Sequence, residues 1–245
     1  MTEDVIGMRM RTRAAAQRAR MGWVGALAGV LSLGLVWAAE AAPVQLTYQV
    51  THSVFGNIGT YTNLIEPTAT GTTVQTRAHF QVKMLGVNMY HEDAQRTERW
   101  QGNRLISFSG VTSKGSGSMV VKGEARGNTF VINSPQGTIT APASVRPANP
   151  WSPGFLNSNT MMRPDDGRIE QVRISAAEPT VIDIDGKPVR AQKYEVDGAT
   201  RYDVWLDSQG VPVKFAVADN SGTVTFTLAS CSGCSTLAPQ QLGMR

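Results

Sequence analysis

Two stretches of this 245-residue sequence carry side chains whose type and spacing could do chemistry. The first is Tyr90-His-Glu-Asp-Ala-Gln-Arg-Thr-Glu-Arg-Trp100. Read as a strand, it puts Tyr90, Glu92, Ala94, Arg96, Glu98 and Trp100 on one face, and His91, Asp93, Gln95, Thr97 and Arg99 on the other. Neither face is apolar. A sheet edge or solvated rim is the expected setting, where a cross-strand ion pair contributes only about 0.2–1 kcal/mol. The alternative puts Glu92, Arg96 and Glu98 inside a half-open barrel, where loss of water would perturb their ionisation and let them contact a polar ligand.

The second stretch is Cys231-Ser-Gly-Cys234, which holds both cysteines of the chain. In an oxidising compartment the expected state is a local disulfide. A thioredoxin-type redox pair would want its first cysteine at a helix N-terminus, whereas this pair follows the strand-like Val224-Thr-Phe-Thr-Leu228. A metal centre would need further ligands, and His52, His79 and His91 stand at no helpful spacing, so none is expected. His79 shares a polar face with Arg77 and Gln81 and is expected to be solvated. No Gly-x-Ser-x-Gly elbow, phosphate loop, dinucleotide-binding glycine pattern or His-Glu-x-x-His is present. Glu170, Asp183 and Asp185 are scattered, so no acid–base dyad, catalytic residue or cofactor is assigned.

The elements that must position these groups read as antiparallel β. Val44, Leu46, Tyr48 and Val50 alternate with polar residues, as do Val74, Ala78, Phe80, Val82 and Met84. Turn signals such as Gln101-Gly-Asn103, Arg126-Gly-Asn128 and Asp185-Gly186 recur at short intervals. They divide the chain into about 11–13 strands, most of them joined as hairpins. A meander of that length must curl or close. The expected fold is all-β: a curved antiparallel meander forming an open or half barrel, with a short helical crossover on its concave side. Phe80, Met84, Phe108, Phe130 and Phe226 are the large concave-face candidates. The crossover is Pro142 to Gly167, which has five prolines and no alternation, with Trp151, Phe155, Leu156, Met161 and Met162 as its apolar contacts. It reads either as a link between two halves of one sheet or as a lid over an open barrel mouth.

Residues 1–41 have the layout of a secretory signal. Five arginines lead into an apolar run from Val24 to Trp37, followed by Ala39-Glu40-Ala41. Cleavage before Ala42 would leave a domain over 42–230 and a tail over 231–245 carrying the cysteine pair. It would place the protein in the periplasm or outside the cell, without a membrane span. The leader holds five of the 23 Lys and Arg residues, and the remaining 18 basic residues face 16 acidic ones. No concentrated basic face is visible, so nucleic acid is set aside as a partner.

Three stretches together carry a resemblance. They are Gly86-Val-Asn-Met-Tyr-His-Glu92 with Thr97-Glu-Arg-Trp100 and Gly102-Asn-Arg-Leu105, then Asn149-Pro-Trp151, then Tyr202-Asp-Val-Trp-Leu-Asp207 with Gly210. Their order and spacing resemble the uncharacterised bacterial envelope family called domain of unknown function 6134, across essentially the whole chain after the leader. Glu98 and Trp100, Trp151, and Asp203 and Trp205 would be the matching positions. The late hairpin also resembles the closing strands of lipoprotein-carrier (LolA/LolB-like) half-barrels. That likeness implies a non-enzymatic carrier for a hydrophobic, acyl or lipid ligand held between the concave face and the 142–167 segment. Trp151 and Phe155 would then be the apolar anchors, with Glu98 and Trp100 at the rim. The competing readings are an envelope structural protein with a filled barrel and no ligand, and an enzyme of unrecognised type.

Overall fold

Period-two alternation decides the architecture, because each strand has one face to bury and one to leave in water. The computed structural model describes residues 42–219 and 221–234; the leader expected over residues 1–41 lies outside the described residues, as does most of the expected tail. The outgoing strands are β1 (Val44–His52), β2 (Gly56–Thr68), β3 (Gly71–Met84), β4 (Val87–Gln101), β5 (Arg104–Lys114), β6 (Gly117–Arg126), β7 (Thr129–Ser134) and β8 (Gly137–Pro142). The crossover holds β9 (Arg146–Pro147), a 3-10 helix (Pro153–Asn157), β10 (Thr160–Met162), β11 (Ile169–Gln171) and β12 (Arg173–Ile174). The returning strands are β13 (Glu178–Ile184), β14 (Lys187–Asp197), β15 (Tyr202–Asp207), β16 (Pro212–Ala218) and β17 (Thr223–Ser232).

Fourteen strands form one antiparallel sheet in the order β12-β14-β15-β16-β17-β1-β2-β3-β4-β5-β6-β7-β8, with β13 also pairing β14. The chain starts in the middle of this sheet and walks to one edge as a meander. It then crosses over and returns from the other edge until β17 pairs with β1. The two outer edges do not pair with each other, so the sheet is open, as the sequence predicts. The strand count exceeds the expected 11–13 because β9 to β12 are two or three residues long and carry no alternation to read. Of these, β9, β10 and β11 form a separate small sheet.

The concave face is the core. Tyr48, Phe108, Phe130, Leu46 and Ile132 are almost fully enclosed, each contributing about 1.5–3 kcal/mol by leaving water. Phe215 stacks on Phe226 with ring centroids 4.2 Å apart, and Tyr48 and Tyr61 meet Phe215 edge-on. The Tyr48 hydroxyl donates to the Pro212 carbonyl at 2.8 Å, which satisfies the polar end of a buried ring. Small residues make room for large ones. A side chain on Gly123 would run into the Phe130 ring of the neighbouring strand.

The crossover is both a link and a cover. Its 3-10 helix starts where Ser152, with an extended backbone, accepts a hydrogen bond from the Gly154 N–H at 3.2 Å, and Pro153 supplies a first turn that needs no donor. Trp151, Phe155, Met161 and Met162 are buried and Leu156 is half-buried, as the sequence predicts.

Met84 is a correction. It is 51% exposed, because β3 past Phe80 and β4 before Glu92 pair only with each other and project beyond the sheet. The tip of this arm is a tight turn at Leu85-Gly86, with both residues at positive φ. The last strand also runs further than its sequence pattern indicates. β17 runs through Cys231, which lies opposite Leu46, so the cysteine pair starts inside the last strand rather than after it. Cys231 and Cys234 are bonded to each other, with Cα atoms 5.8 Å apart.

Two stability measurements follow from this packing. Gly123→Ala forces the Phe130 ring to move and is expected to cost about 1–3 kcal/mol, read as a fall in Tm of about 2–4 °C per kcal/mol for a domain of this size. Replacing both cysteines by serine opens a loop with a sequence separation of only 3. Calorimetry is expected to show a loss of at most about 2 kcal/mol, and a loss of many degrees would identify the pair as a main staple of the fold.

Candidate functional site

The inward side chains of β4 form a polar column. Glu92, Arg96 and Glu98 are all buried, with Ala94 and Trp100 between and beyond them. β4 pairs with β3 on one side and β5 on the other. It is therefore an interior strand, and the expected edge or solvated rim is corrected. Glu98 and Trp100 in particular are not at a rim, since Glu98 has no exposed surface and Trp100 is 6% exposed.

Glu98 is satisfied by three N–H donors. Trp100 Nε1 and Trp151 Nε1 donate to Oε2 at 2.9 and 3.0 Å, and Asn149 Nδ2 donates to Oε1 at 2.9 Å. The rest of the Asn149 amide is also occupied: its Oδ1 accepts from the Tyr61 hydroxyl at 2.9 Å and from Asn63 Nδ2 at 3.3 Å. Thr76 completes the set by donating to Asn63 Oδ1 at 2.7 Å. Burial pushes the Glu98 carboxyl above its ordinary range, and the three donors and the Arg96 charge pull it back. Burial also pushes the Tyr61 phenol up to about 12, which keeps its proton in place for Asn149. The positions singled out by family resemblance, Glu98, Trp100 and Trp151, thus converge on one carboxylate. Asp203 and Trp205 lie elsewhere, with Asp203 paired to Lys193 and the Trp205 ring facing the ammonium groups of Lys193 and Lys214.

Above this seat lies a cavity of about 280 Å³ between the concave face and the crossover. Its sheet side presents Tyr61, Phe80, Phe215 and Phe226, and its roof includes Pro150, Met161 and Pro164. Arg96 and Glu92 reach it from β4. Arg96 pairs with Asp165 of the crossover, while its Nε–H is buried without a partner among the described residues. Burial works against the Arg96 charge, and Asp165, Tyr61, Glu92 and Glu98 hold its pKa above the ordinary value. A second, more open trough of about 510 Å³ shares Phe80, Glu92, Val217 and Phe226 with the first and continues past Val82, Met89 and Tyr90 of the arm.

The smaller hollow lies between the concave face and the 142–167 segment, whereas the trough is lined by no residue of that segment, and the lining of both differs from the expected one. Trp151, Phe155, Glu98 and Trp100 do not line either hollow; they belong to the packing that holds the roof. The signal that could have separated the two roles is hydrogen-bonding capacity. A buried indole N–H needs an acceptor, and the carboxylate it finds here fixes where the Trp151 ring sits.

Two histidine clusters form that chain order hides. His52 Nε2 lies 3.2 Å from Ser221 Oγ and 3.4 Å from Asp219, but this is not a nucleophile–base–acid set. Serine and carboxylate share one ring nitrogen, and the other nitrogen accepts the Val54 N–H at 3.0 Å. On the convex side, His79 and His91 both face Asp93. That cluster is set by the register of β3 against β4, which puts His79 opposite Asp93.

Glu98→Gln keeps the shape of the buried side chain and removes one acceptor, so an amide N–H₂ must face at least one of the three donors. A loss of about 1–3 kcal/mol is expected, measured by urea unfolding, with a shift of tryptophan emission from Trp100 and Trp151.

Among the described residues, no helix is long and apolar enough to cross a membrane. No curated protein matches the chain. Among solved structures it is similar to the crystal structure of a beta-barrel-like protein of domain of unknown function DUF1849 from Brucella abortus. That match has 12% identity and a TM-score of 0.56, and it covers 79% of this chain and 98% of the other, a likeness of fold alone. Residues 48–229, which hold the whole of the polar column and its crossover partners, match the model of the family described as Domain of unknown function (DUF6134), and the chain belongs to that family.

Proposed function

We propose that this β-barrel-like protein is a non-enzymatic carrier of an acyl or lipid molecule, working in the periplasm or outside the cell. The observation that carries the reading is the aromatic cavity under the crossover, which shares the walls Phe80, Glu92, Val217 and Phe226 with the neighbouring trough. The cavity, about 280 Å³, and the trough, about 510 Å³, stand near the lower part of the range of small-molecule sites, about 300–1,000 Å³.

The lining supports an amphiphile rather than a plain hydrocarbon. Phe80, Phe215 and Phe226 offer ring faces and edges to an apolar chain. Arg96, whose side chain lines the hollow beside Asp165, offers a positive charge to a carboxylate or another anionic head. Trp151, Phe155, Glu98 and Trp100 act in this scheme by holding the roof, so their part in binding is to position rather than to touch. The arginine-led apolar segment and Ala39-Glu40-Ala41 support export.

Native mass spectrometry of protein taken from its own envelope fraction tests both parts. The expected mass begins at Ala42 and carries a co-purifying lipid. In vitro, a fluorescent fatty-acid probe is expected to bind saturably. Val217→Trp, which fills the shared wall of the two hollows, is expected to weaken that binding at least tenfold. An intact leader would overturn the location, and absence of saturable binding by fatty-acid and phospholipid probes alike would leave the structural-protein reading in its place.

A further inference from the structure

We infer that the convex face of the β3–β4 ladder is a binding site for a divalent transition-metal ion of the zinc type, held by His79, His91 and Asp93. His79 Nδ1 lies 2.7 Å from Asp93 Oδ1, and His91 Nε2 lies 2.8 Å from Asp93 Oδ2. One ligand atom from each of the three residues can be chosen so that all lie within 4.8 Å of one another. Tetrahedral zinc, with bonds of about 2.0–2.1 Å to nitrogen and about 2.0–2.2 Å to carboxylate oxygen, separates its ligands by roughly 3.3 Å. Small side-chain rotations reach that spacing from the distances present. Two imidazoles and one carboxylate leave a fourth position for water, and this nitrogen–oxygen set suits zinc, nickel or copper rather than calcium or magnesium.

The frame is rigid. His79 and Asp93 are directly opposed on paired strands, and His91 stands two residues before Asp93 on the same face. The two imidazole rings meet edge to face, with centroids 5.5 Å apart. No loop has to fold to assemble the ligands. An ordinary pairing of histidine with aspartate accounts for one imidazole on this carboxylate. The second imidazole turns its nitrogen to the other oxygen of the same group, so a metal ion would take the place of the protons that lie between three ligands already gathered. The second nitrogen of His91 is buried without a hydrogen-bond partner among the described residues. The usual outer-shell support for a metal-bound imidazole is therefore missing, and such support is worth about 10–100-fold in affinity. The site is accordingly a weaker one, open to solvent, rather than a structural zinc on which folding depends.

The test is isothermal titration of untagged protein with zinc chloride at pH 7.5. One equivalent is expected to bind in the wild type, with a rise in Tm on saturation. His79→Ala and Asp93→Asn are each expected to weaken binding at least tenfold, and all three ligands are partly or fully exposed, so these variants fold. His52→Ala serves as the control and is expected to bind zinc as the wild type does. Cobalt in place of zinc is expected to give the visible absorption of a four-coordinate ion, lost in the same two variants. Binding is also expected to weaken in acid, where protons compete for the imidazole nitrogens. Absence of zinc binding in the wild type would overturn the inference, and so would binding left unchanged in the His79→Ala, His91→Ala double variant.

Discussion

A carboxylate with no exposed surface must be hydrogen-bonded or the fold that buries it is lost, and in this protein that carboxylate is Glu98. Its partners decide what else the chain can do. Trp100 comes from the same strand two residues on, and is in place whenever β4 is extended. Asn149 and Trp151 come from the crossover, some fifty residues away. Lifting the crossover off the sheet would strand Glu98 with one donor in place of three. It would also remove the acceptor of the Tyr61 hydroxyl and of Asn63 Nδ2, which is the same Asn149 amide oxygen. Leaving such groups unpaired costs about 1–3 kcal/mol each, and more where charge is involved. The network is therefore a latch, and it is cooperative because Asn149 sits in the middle of it.

The latch also accounts for a sheet that stays open. In a closed barrel the last edge strand pairs with the first and the interior is sealed by backbone hydrogen bonds. Here the edges stay apart and the crossover spans the interior between them. Gly167 leans on Ile132 and Ser134 of β7, near one edge. Met161 and Glu170 meet Tyr202 and Thr200, toward the other. The roof includes Pro150, Pro164 and Met161, and volume remains beneath it. The cavity is thus a product of how the gap is bridged. Its walls are the aromatic residues of the sheet, and its polar corner is the Arg96–Asp165 pair that joins sheet to roof.

Much of this was legible in the sequence, and the rest was not for identifiable reasons. Alternation such as Val44, Leu46, Tyr48 and Val50 marks a half-buried strand by itself, so the all-β class and the open meander could be read directly. The crossover could be read as well, because five prolines interrupt that alternation. β4 was misleading because pattern reading equates inward with apolar. A strand whose inward residues include Glu92, Arg96 and Glu98 then looks like an edge, although it is central. Trp151 was misassigned for a related reason. An indole counts as apolar by composition, yet its N–H decides its place when a buried carboxylate is near. The His79–Asp93 contact was hidden for a different reason. It depends on the register between β3 and β4, which is set jointly by the unmarked turn at Leu85-Gly86 and a one-residue shift between Val82 and Lys83; the turn alone would place His79 opposite Glu92.

That register also resolves the oddity of a strand with no apolar face. Each face of β4 is polar on its own account. The inward one latches the crossover and reaches the cavity, and the outward one gathers two histidines on a carboxylate. Neighbouring side chains on a strand point to opposite sides, so Glu92 and Asp93, though adjacent in sequence, cannot serve the same site. The backbone pairing with β3 and β5 holds the strand in place without help from an apolar stripe, since both neighbours supply hydrogen bonds along most of its length. Buried contacts of Val74 and Phe108 on either side of Glu98 supply the desolvation that makes its hydrogen bonds matter. An interior strand can dispense with apolar residues only when its neighbours carry them, and β3 and β5 do.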